Sequence, residues 1–418
     1  MTRFDRRMAP RPLPAHLGSA MLLWLSSRAG LTSLASGSPP WKSEESRAAS
    51  QAYEKLWVLA AEIGRAGAEA VGSALDRELL SCADRFLAGV ESYRRHPFRR
   101  AEPDVPVVWR NGNARLLDYG SGAGASVLVL PSLINRYYVL DLLPERSFVR
   151  CLAERGLRPL VLDWGEPGDA ERGFDLTDYI AGPLEAAITA AVERTGGPVG
   201  VIGYCMGGLL ALALALRHPA ETACLALLAT PWDFHAKRAE QAQMLAATVE
   251  AALSGPGNAP LPLDVIQGLF LALDPFLAER KFIRFAGLDQ DSTGARDFVA
   301  LEDWLNDGVP LVHKVALECA RSWYRDNDPG RGEWRIAGRA IRPENVTVRS
   351  LVVLPSRDRI VPPLSAEALV SAIPGASVLR PPLGHIGMMA SASAPETVWR
   401  PIADWLRVGH KEAALKRT

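Results

Sequence analysis

Along the chain the spacing of apolar residues changes character near residue 107. Before it, residues 48–74 and 79–93 carry apolar side chains three and four apart, the interval that lines one face of a helix. Nothing in residues 1–103 alternates as a strand does, so this stretch predicts a separate helical N-terminal region. Ser36, Gly37, Pro39 and Pro40 predict a turn or linker within it. From residue 107 the runs are shorter and β-like. Residues 107–109 and 114–119 flank Asn111-Gly112-Asn113, a hairpin signal. An apolar strand is expected at 126–130, a helix over 145–155 closed by Gly156, and a strand at 160–163. A helix over 177–194 follows, with Thr177 as N-cap and a bend at Pro183. Strands are expected at 199–203 and 224–229. Strands and helices alternating at these lengths predict parallel βαβ units.

The alternation stops over 234–308, where the pattern is helical and rich in large apolar residues, among them Phe276, Phe282, Phe285 and Trp304. It resumes with strands at 348–354 and 377–379 and closes with a helix over 396–406. A helical insertion between strands predicts a cap that gates a site and excludes water. The expected organisation is a helical N-terminal region (1–103), a first core part (104–233), the cap (234–310), a second core part (311–408) and a tail (409–418).

Composition narrows the function classes. Lysine plus arginine and aspartate plus glutamate both number 47, so no basic excess exists to bind nucleic acid. The cluster Arg94, Arg95, Arg99 and Arg100 reads as a local solvated face or docking site. The five cysteines are odd in number and widely spaced, with no Cys-x-x-Cys. A disulfide framework or zinc site is not expected, and a reducing compartment fits. Arg3, Arg6, Arg7 and Arg11 precede an apolar run at 17–25, too short and too far from the start for a typical signal peptide. Residues 196–216 lack charge and reach the length of a membrane span. Their glycines and Pro198 argue instead for a buried strand plus a buried helix, and no transmembrane segment is expected.

That uncharged stretch carries the candidate chemistry. Gly203-Tyr204-Cys205-Met206-Gly207-Gly208 has the form Gly-x-Ser-x-Gly with cysteine in the serine position. An apolar strand leads in and a Leu/Ala helix leads out, the setting of a nucleophile elbow. Gly203, Gly207 and Gly208 permit the tight turn and close packing of the helix. Cys205 would stand at a helix N-terminus, which favours a thiolate, with the Met206 N–H in an oxyanion hole. A bland reading makes Cys205 a small buried turn residue, but the strand–turn–helix context favours the elbow.

A cysteine nucleophile needs a base, and the base an orienting acid. On an α/β-hydrolase scaffold the chain order is nucleophile, acid, histidine. Asp358 follows the strand at 348–354, and His385 follows that at 377–379 between Gly384 and Ile386-Gly387. Alone, Asp358 reads as a turn residue and His385 as a loop residue. Together, in order and after the expected strands, they complete a Cys205–Asp358–His385 triad. His235 could line the site, and His313 reads as structural. The second oxyanion donor is expected from Leu133 or Ile134, in the loop after the strand at 126–130. The fold class expected is α/β, an α/β-hydrolase fold with a mostly parallel doubly wound sheet, an inserted helical cap and a helical N-terminal region.

These residues together resemble the polyhydroxyalkanoate synthases, enzymes that make poly(3-hydroxybutyrate) and related polyesters. The elbow is similar to that family's lipase-like box with cysteine. Leu133-Ile134-Asn135-Arg136-Tyr137-Tyr138-Val139-Leu140-Asp141-Leu142 resembles its segment after the third strand. Asp163-Trp164-Gly165-Glu166-Pro167 and Leu176-Thr177-Asp178-Tyr179-Ile180 resemble the shorter, two-component class. Asp358-Arg359-Ile360-Val361-Pro362-Pro363 is similar to the acid motif, with Arg359 where histidine is usual. The resemblance spans roughly residues 107–406. The first hundred residues lie outside it, and the chain is longer than the catalytic subunits of that class.

The resemblance implies an acyltransferase acting on 3-hydroxyacyl-coenzyme A through an acyl-Cys205 thioester, with coenzyme A as part of the substrate and no bound metal or cofactor. It implies a growing polyester chain as second substrate, a cytoplasmic enzyme on polyester granules, and a homodimer or a second subunit as partner. Two alternatives stay open. One is a cysteine hydrolase, whether thioesterase, depolymerase or dienelactone-hydrolase-like. The other is a non-catalytic granule-associated protein.

Overall fold

The computed structural model describes residues 7, 10–35, 47–120, 124–237 and 239–415. The expected linker at 36–40 lies outside the described residues. The chain divides into two compact units, one of residues 1–98 with 270–299 and one of residues 99–269 with 300–418.

In the first unit, three helices, α1 (Leu13–Ala35), α2 (Arg47–Ala66) and α3 (Ala68–Arg95), come from the N-terminal region. Phe86, Val90 and Tyr93, at helical spacing on α3, bury themselves against Phe282 and Phe285 of the helix Leu277–Ala286 and against Ala295 and Val299. Phe282 meets Phe86 and Tyr93 edge-on at centroid distances of 6.2 and 5.7 Å, and Phe285 stacks on Phe298 at 4.3 Å. These are the favoured offset and T-shaped geometries of aromatic pairs. The sequence expected 234–310 as one inserted cap. The middle of that stretch shares its core with the N-terminal helices.

The second unit is built on an eight-stranded sheet. Its strands are β1 (Val107–Asn111), β2 (Ala114–Asp118), β3 (Ala125–Leu130), β4 (Leu157–Asp163), β5 (Val199–Tyr204), β6 (Thr222–Leu228), β7 (Arg349–Val353) and β8 (Ser377–Leu379). The spatial order is β1-β2-β4-β3-β5-β6-β7-β8. The β1–β2 and β2–β4 pairs are antiparallel and all others parallel. β5 and β6 are buried at every position, which is why they read as continuous apolar runs rather than alternating ones. The chain passes from β3 outward to β4, then returns to β5 on the other side of β3. That reversal opens a crevice at the carboxyl ends of β3 and β5, where open α/β sheets place their ligands.

Helix α4 (Met206–Arg217) follows β5, and its residues from Met206 to Leu216 are all buried. Each buried leucine contributes about 1.5–3 kcal/mol, so this helix is held by packing on all sides. The uncharged stretch is thus a buried strand and a buried helix, and no helix among the described residues is long and apolar enough to cross a membrane. Three details differ from the sequence reading. The closing helix, Arg400–Leu415, runs through most of the expected tail at 409–418. The helix expected from Thr177 is capped by Asp175, because Asp175 and Asp178 form a reciprocal capping box. At Pro183 the helix takes a π turn, Ile180–Leu184, which accommodates the missing N–H.

Candidate active site

β5 ends at Tyr204 and α4 starts at Met206, so Cys205 alone makes the turn. It has φ 57° and ψ −126°, a conformation that costs a non-glycine residue about 1–3 kcal/mol. Hydrogen bonds hold it there. The Cys205 N–H donates to the Leu228 carbonyl at the end of β6 (2.8 Å), and the Cys205 carbonyl accepts from the Gly208 N–H (2.9 Å). The glycines are required by proximity. A Cβ on Gly203 would lie 2.5 Å from Gly208 Cα, one on Gly207 2.7 Å from the Pro131 oxygen, and one on Gly208 2.7 Å from Thr230 Cβ. The start of α4 is therefore pressed against β5, the loop after β3 and Thr230 in the segment after β6. Met206, in the first turn of α4, has an N–H with no acceptor inside the helix.

Asp358 and His385 lie in the loops after β7 and β8, and both are 7% exposed. Asp358 acts with both oxygens. Its Oδ1 accepts from the Ile360 and Val361 N–H groups (2.8 and 2.9 Å), and its Oδ2 lies 2.7 Å from His385 Nδ1. The turn and the contact with His385 thus use the two oxygens of one carboxylate. With Nδ1–H given to Asp358, Nε2 is the ring nitrogen left for the Cys205 sulfur, with which the imidazole also interacts. Burial opposes charge on His385. The Cys205 sulfur and the Asp358 carboxylate outweigh it and push the ring up to about 10. The Tyr204 hydroxyl donates to the His385 carbonyl (3.1 Å), and its ring lies 5.1 Å from the imidazole centroid.

Of the two expected oxyanion donors after β3, the Ile134 N–H already donates to Ser132 Oγ (3.1 Å). The Leu133 N–H meets no acceptor among the described residues. The segment is clamped by residues near the end of the helical insertion. The Val309 N–H donates to the Ile134 carbonyl (3.1 Å), Trp304 Nε1 to the Arg136 carbonyl (2.8 Å), and the Tyr138 hydroxyl to Asp307 Oδ2 (3.0 Å). His235 bonds the Tyr324 carbonyl (3.0 Å) and His313 the Ala259 carbonyl (3.1 Å), so both rings serve packing. Arg94 and Arg95 pair with Glu91 on their own helix, and Arg100 covers the Tyr138 ring at 4.4 Å.

Sequence reasoning missed two aromatic residues. Tyr204 stood inside the motif, and only its contact with His385 shows what it does. Tyr324 is held protonated by burial, reinforced by the Cys205 and Cys319 sulfurs. It sits in the π-helical stretch Cys319–Arg325, and no sequence pattern marked it.

This strand order and the strand–turn–helix elbow define a class. The chain belongs to the alpha/beta hydrolase fold family, whose signature covers residues 126–392. Within it, the chain is similar to poly(3-hydroxyalkanoate) polymerase subunits named PhaC. It is 27% identical over 312 residues to that of Haloferax mediterranei, covering 72% of this chain and 63% of the relative. It is 28% identical over 285 residues to that of Allochromatium vinosum, covering 67% of this chain and 80% of the relative. The match thus spans less than two thirds of the Haloferax protein. Among solved structures, BpoC of Mycobacterium tuberculosis H37Rv shares the fold at 19% identity and a TM-score of 0.50, over 74% of this chain and 99% of that one.

Proposed function

We propose that this chain is an acyltransferase that polymerises 3-hydroxyacyl groups from coenzyme A thioesters through an acyl-Cys205 intermediate. The observation that carries the reading is the convergence of Cys205, on its strained elbow, with a buried His385 that Asp358 orients. Likeness to the PhaC polymerases supports the substrate class.

The steps follow from the groups in place. His385 Nε2 takes the thiol proton, and the Cys205 thiolate attacks the thioester carbonyl. The oxyanion is met by the Met206 N–H and, by its freedom from other partners, the Leu133 N–H. The carbon–sulfur bond to coenzyme A breaks, and the leaving thiolate takes the proton from His385. The acyl-Cys205 thioester stays activated. His385 then deprotonates the terminal 3-hydroxyl of a growing chain, whose oxygen attacks the acyl carbon and expels the Cys205 thiolate. A serine ester in this position would be a poorer acyl donor to a hydroxyl. Water has to be excluded, or the chain is released as free acid. The reading extends to a cytoplasmic enzyme at the polyester surface, working as a homodimer or with a second subunit. Family likeness alone supports that extension.

The test is coenzyme A release from 3-hydroxybutyryl-coenzyme A by wild type and Cys205→Ala, with analysis of the acyl product. Release that depends on Cys205 and yields insoluble polyester is expected. Release yielding only free 3-hydroxy acid would make the protein a cysteine hydrolase. No release from the folded chain would contradict the catalytic reading.

A further inference from the structure

We propose that Tyr204 is a positioning residue for the base: its hydroxyl holds the main chain of His385, and its ring supports the imidazolium that forms when His385 takes the Cys205 proton. The inference rests on the Cys205–His385 pairing of the acyl-transfer reading. Tyr204 is the last residue of β5 and is joined to Cys205 by their shared peptide bond. It is buried, so it acts through its neighbours and not on the substrate.

The loop after β8 needs a clamp at His385. Glycine stands at positions 384 and 387, so side chains restrain the backbone beside the histidine little. The loop is tied on either side of it. The Arg357 N–H donates to the Leu383 carbonyl (2.9 Å), the Met388 N–H to the Gly384 carbonyl (3.1 Å) and the Met389 N–H to the Ile386 carbonyl (2.9 Å). The His385 carbonyl lies between these ties, and its partner among the described residues is the Tyr204 hydroxyl (3.1 Å). Burial, with Cys205 and Asp358 adding, holds that phenol protonated, so it is a standing donor. One side chain thus fixes the base relative to the nucleophile, with a hydrogen bond at one end and a peptide bond at the other.

The ring of Tyr204 faces the imidazole at 5.1 Å between centroids, with 31° between the planes. A cation held over an aromatic face within about 6 Å of its centroid is attracted by the ring, more strongly where water is excluded. Neutral imidazole gains less from the same contact. The stack therefore favours the state in which the proton has moved from Cys205 to His385.

The other charges at the ring are the Cys205 sulfur, from the elbow, and the Asp358 carboxylate, from the loop after β7; both favour the protonated ring against burial. Arg357 and Arg359, on either side of Asp358, are exposed. Asp358 bonds the edge of the ring at Nδ1, whereas Tyr204 meets its face and its main chain. Removing the tyrosine therefore leaves the acid in place.

The experiment uses the full chain and two readouts. One is kcat and KM for coenzyme A release from 3-hydroxybutyryl-coenzyme A. The other is the pH at which iodoacetamide labels position 205 at half its maximal rate, followed by peptide mass. Tyr204→Phe keeps the ring and loses the hydroxyl. Its kcat should fall about five- to tenfold, the loss of one buried hydrogen bond, with KM and the half-rate pH unchanged. Tyr204→Leu loses both. Its kcat should fall further, and its half-rate pH should rise by about half a unit to one unit. A residue that only filled the core would lower stability and leave that pH where it was. Buried Cys224 takes label only in unfolded molecules, and Tyr204→Met replaces Tyr204→Leu if Cys224 is labelled. Tyr204→Phe as fast as wild type, or folded Tyr204→Leu with an unmoved half-rate pH, overturns the inference. A half-rate pH that His385→Gln leaves unmoved overturns the Cys205–His385 pair and this inference with it. No release by wild type overturns the acyl-transfer reading alone, and the labelling result still decides the role of Tyr204.

Discussion

Gly207→Ala tests the elbow at its tightest point. On an ordinary helix, alanine in place of glycine stabilises by about 0.5–1 kcal/mol, because it restricts the unfolded chain. At position 207 the new Cβ would stand 2.7 Å from the Pro131 oxygen and 2.8 Å from its carbonyl carbon, with the Leu130 oxygen nearer still. These are backbone atoms and cannot rotate away. Leu130 is itself paired with Gly203 in the sheet, so β3 cannot retreat without breaking its ladder. The start of α4 has to move outward by roughly half an ångström or more, at an overpacking cost of about 1–3 kcal/mol. The Met206 N–H moves with it, and a displacement approaching 1 Å costs about 10²-fold in rate. Gly268→Ala is the control. It lies within the helix Leu263–Leu273, and nothing comes within 4 Å of the place its new methyl would take, so it should be neutral or stabilising by about 0.5–1 kcal/mol. The assay is urea unfolding together with coenzyme A release. Gly207→Ala as stable and as active as wild type would refute the close packing on which the elbow and its oxyanion donor depend.

Asp358→Asn should lower coenzyme A release by about 10³–10⁴-fold, in line with loss of the orienting acid in other triads, while the protein stays folded by circular dichroism. Because His385 is raised from about 6.5 to about 10, the stability it contributes is complete below about pH 6.5 and is lost as pH rises through about 10. The difference in unfolding free energy between wild type and His385→Gln should therefore shrink between about pH 6.5 and 10; a difference that grew would reverse the sign of the argument. Gly89→Ala on α3 should destabilise the aromatic core by about 1–3 kcal/mol, since its Cβ would meet the Phe282 carbonyl carbon at 2.8 Å. Thermal unfolding measures this, and an unchanged midpoint would contradict it.

The parts of this molecule that were readable in sequence are those with a local signature. Buried strands such as β5 and β6 announce themselves as apolar runs, and the spacing of Gly203, Gly207 and Gly208 marks a turn that no other residues fit. The meeting of Asp358 with His385 was legible from chain order, because the fold presents the loops after β7 and β8 in a set sequence. What stayed hidden depends on residues far apart in the chain. Helical spacing shows that Phe86 and Tyr93 share an apolar face, but not that Phe282 and Phe285 cover it. The choice between the Leu133 and Ile134 N–H groups turned on where one serine hydroxyl points. Thr177 and Asp175 are both acceptable N-caps, and the reciprocal bond from Asp178 decides between them.

The central claim is a covalent acyl group on Cys205. The most direct measurement is peptide mass spectrometry of the wild-type protein quenched in acid during turnover of 3-hydroxybutyryl-coenzyme A. The account predicts a single hydroxybutyryl group on the peptide bearing Cys205, sensitive to hydroxylamine and missing from Cys205→Ala. Turnover with Cys205 unmodified, or with the acyl group on another residue, would contradict it.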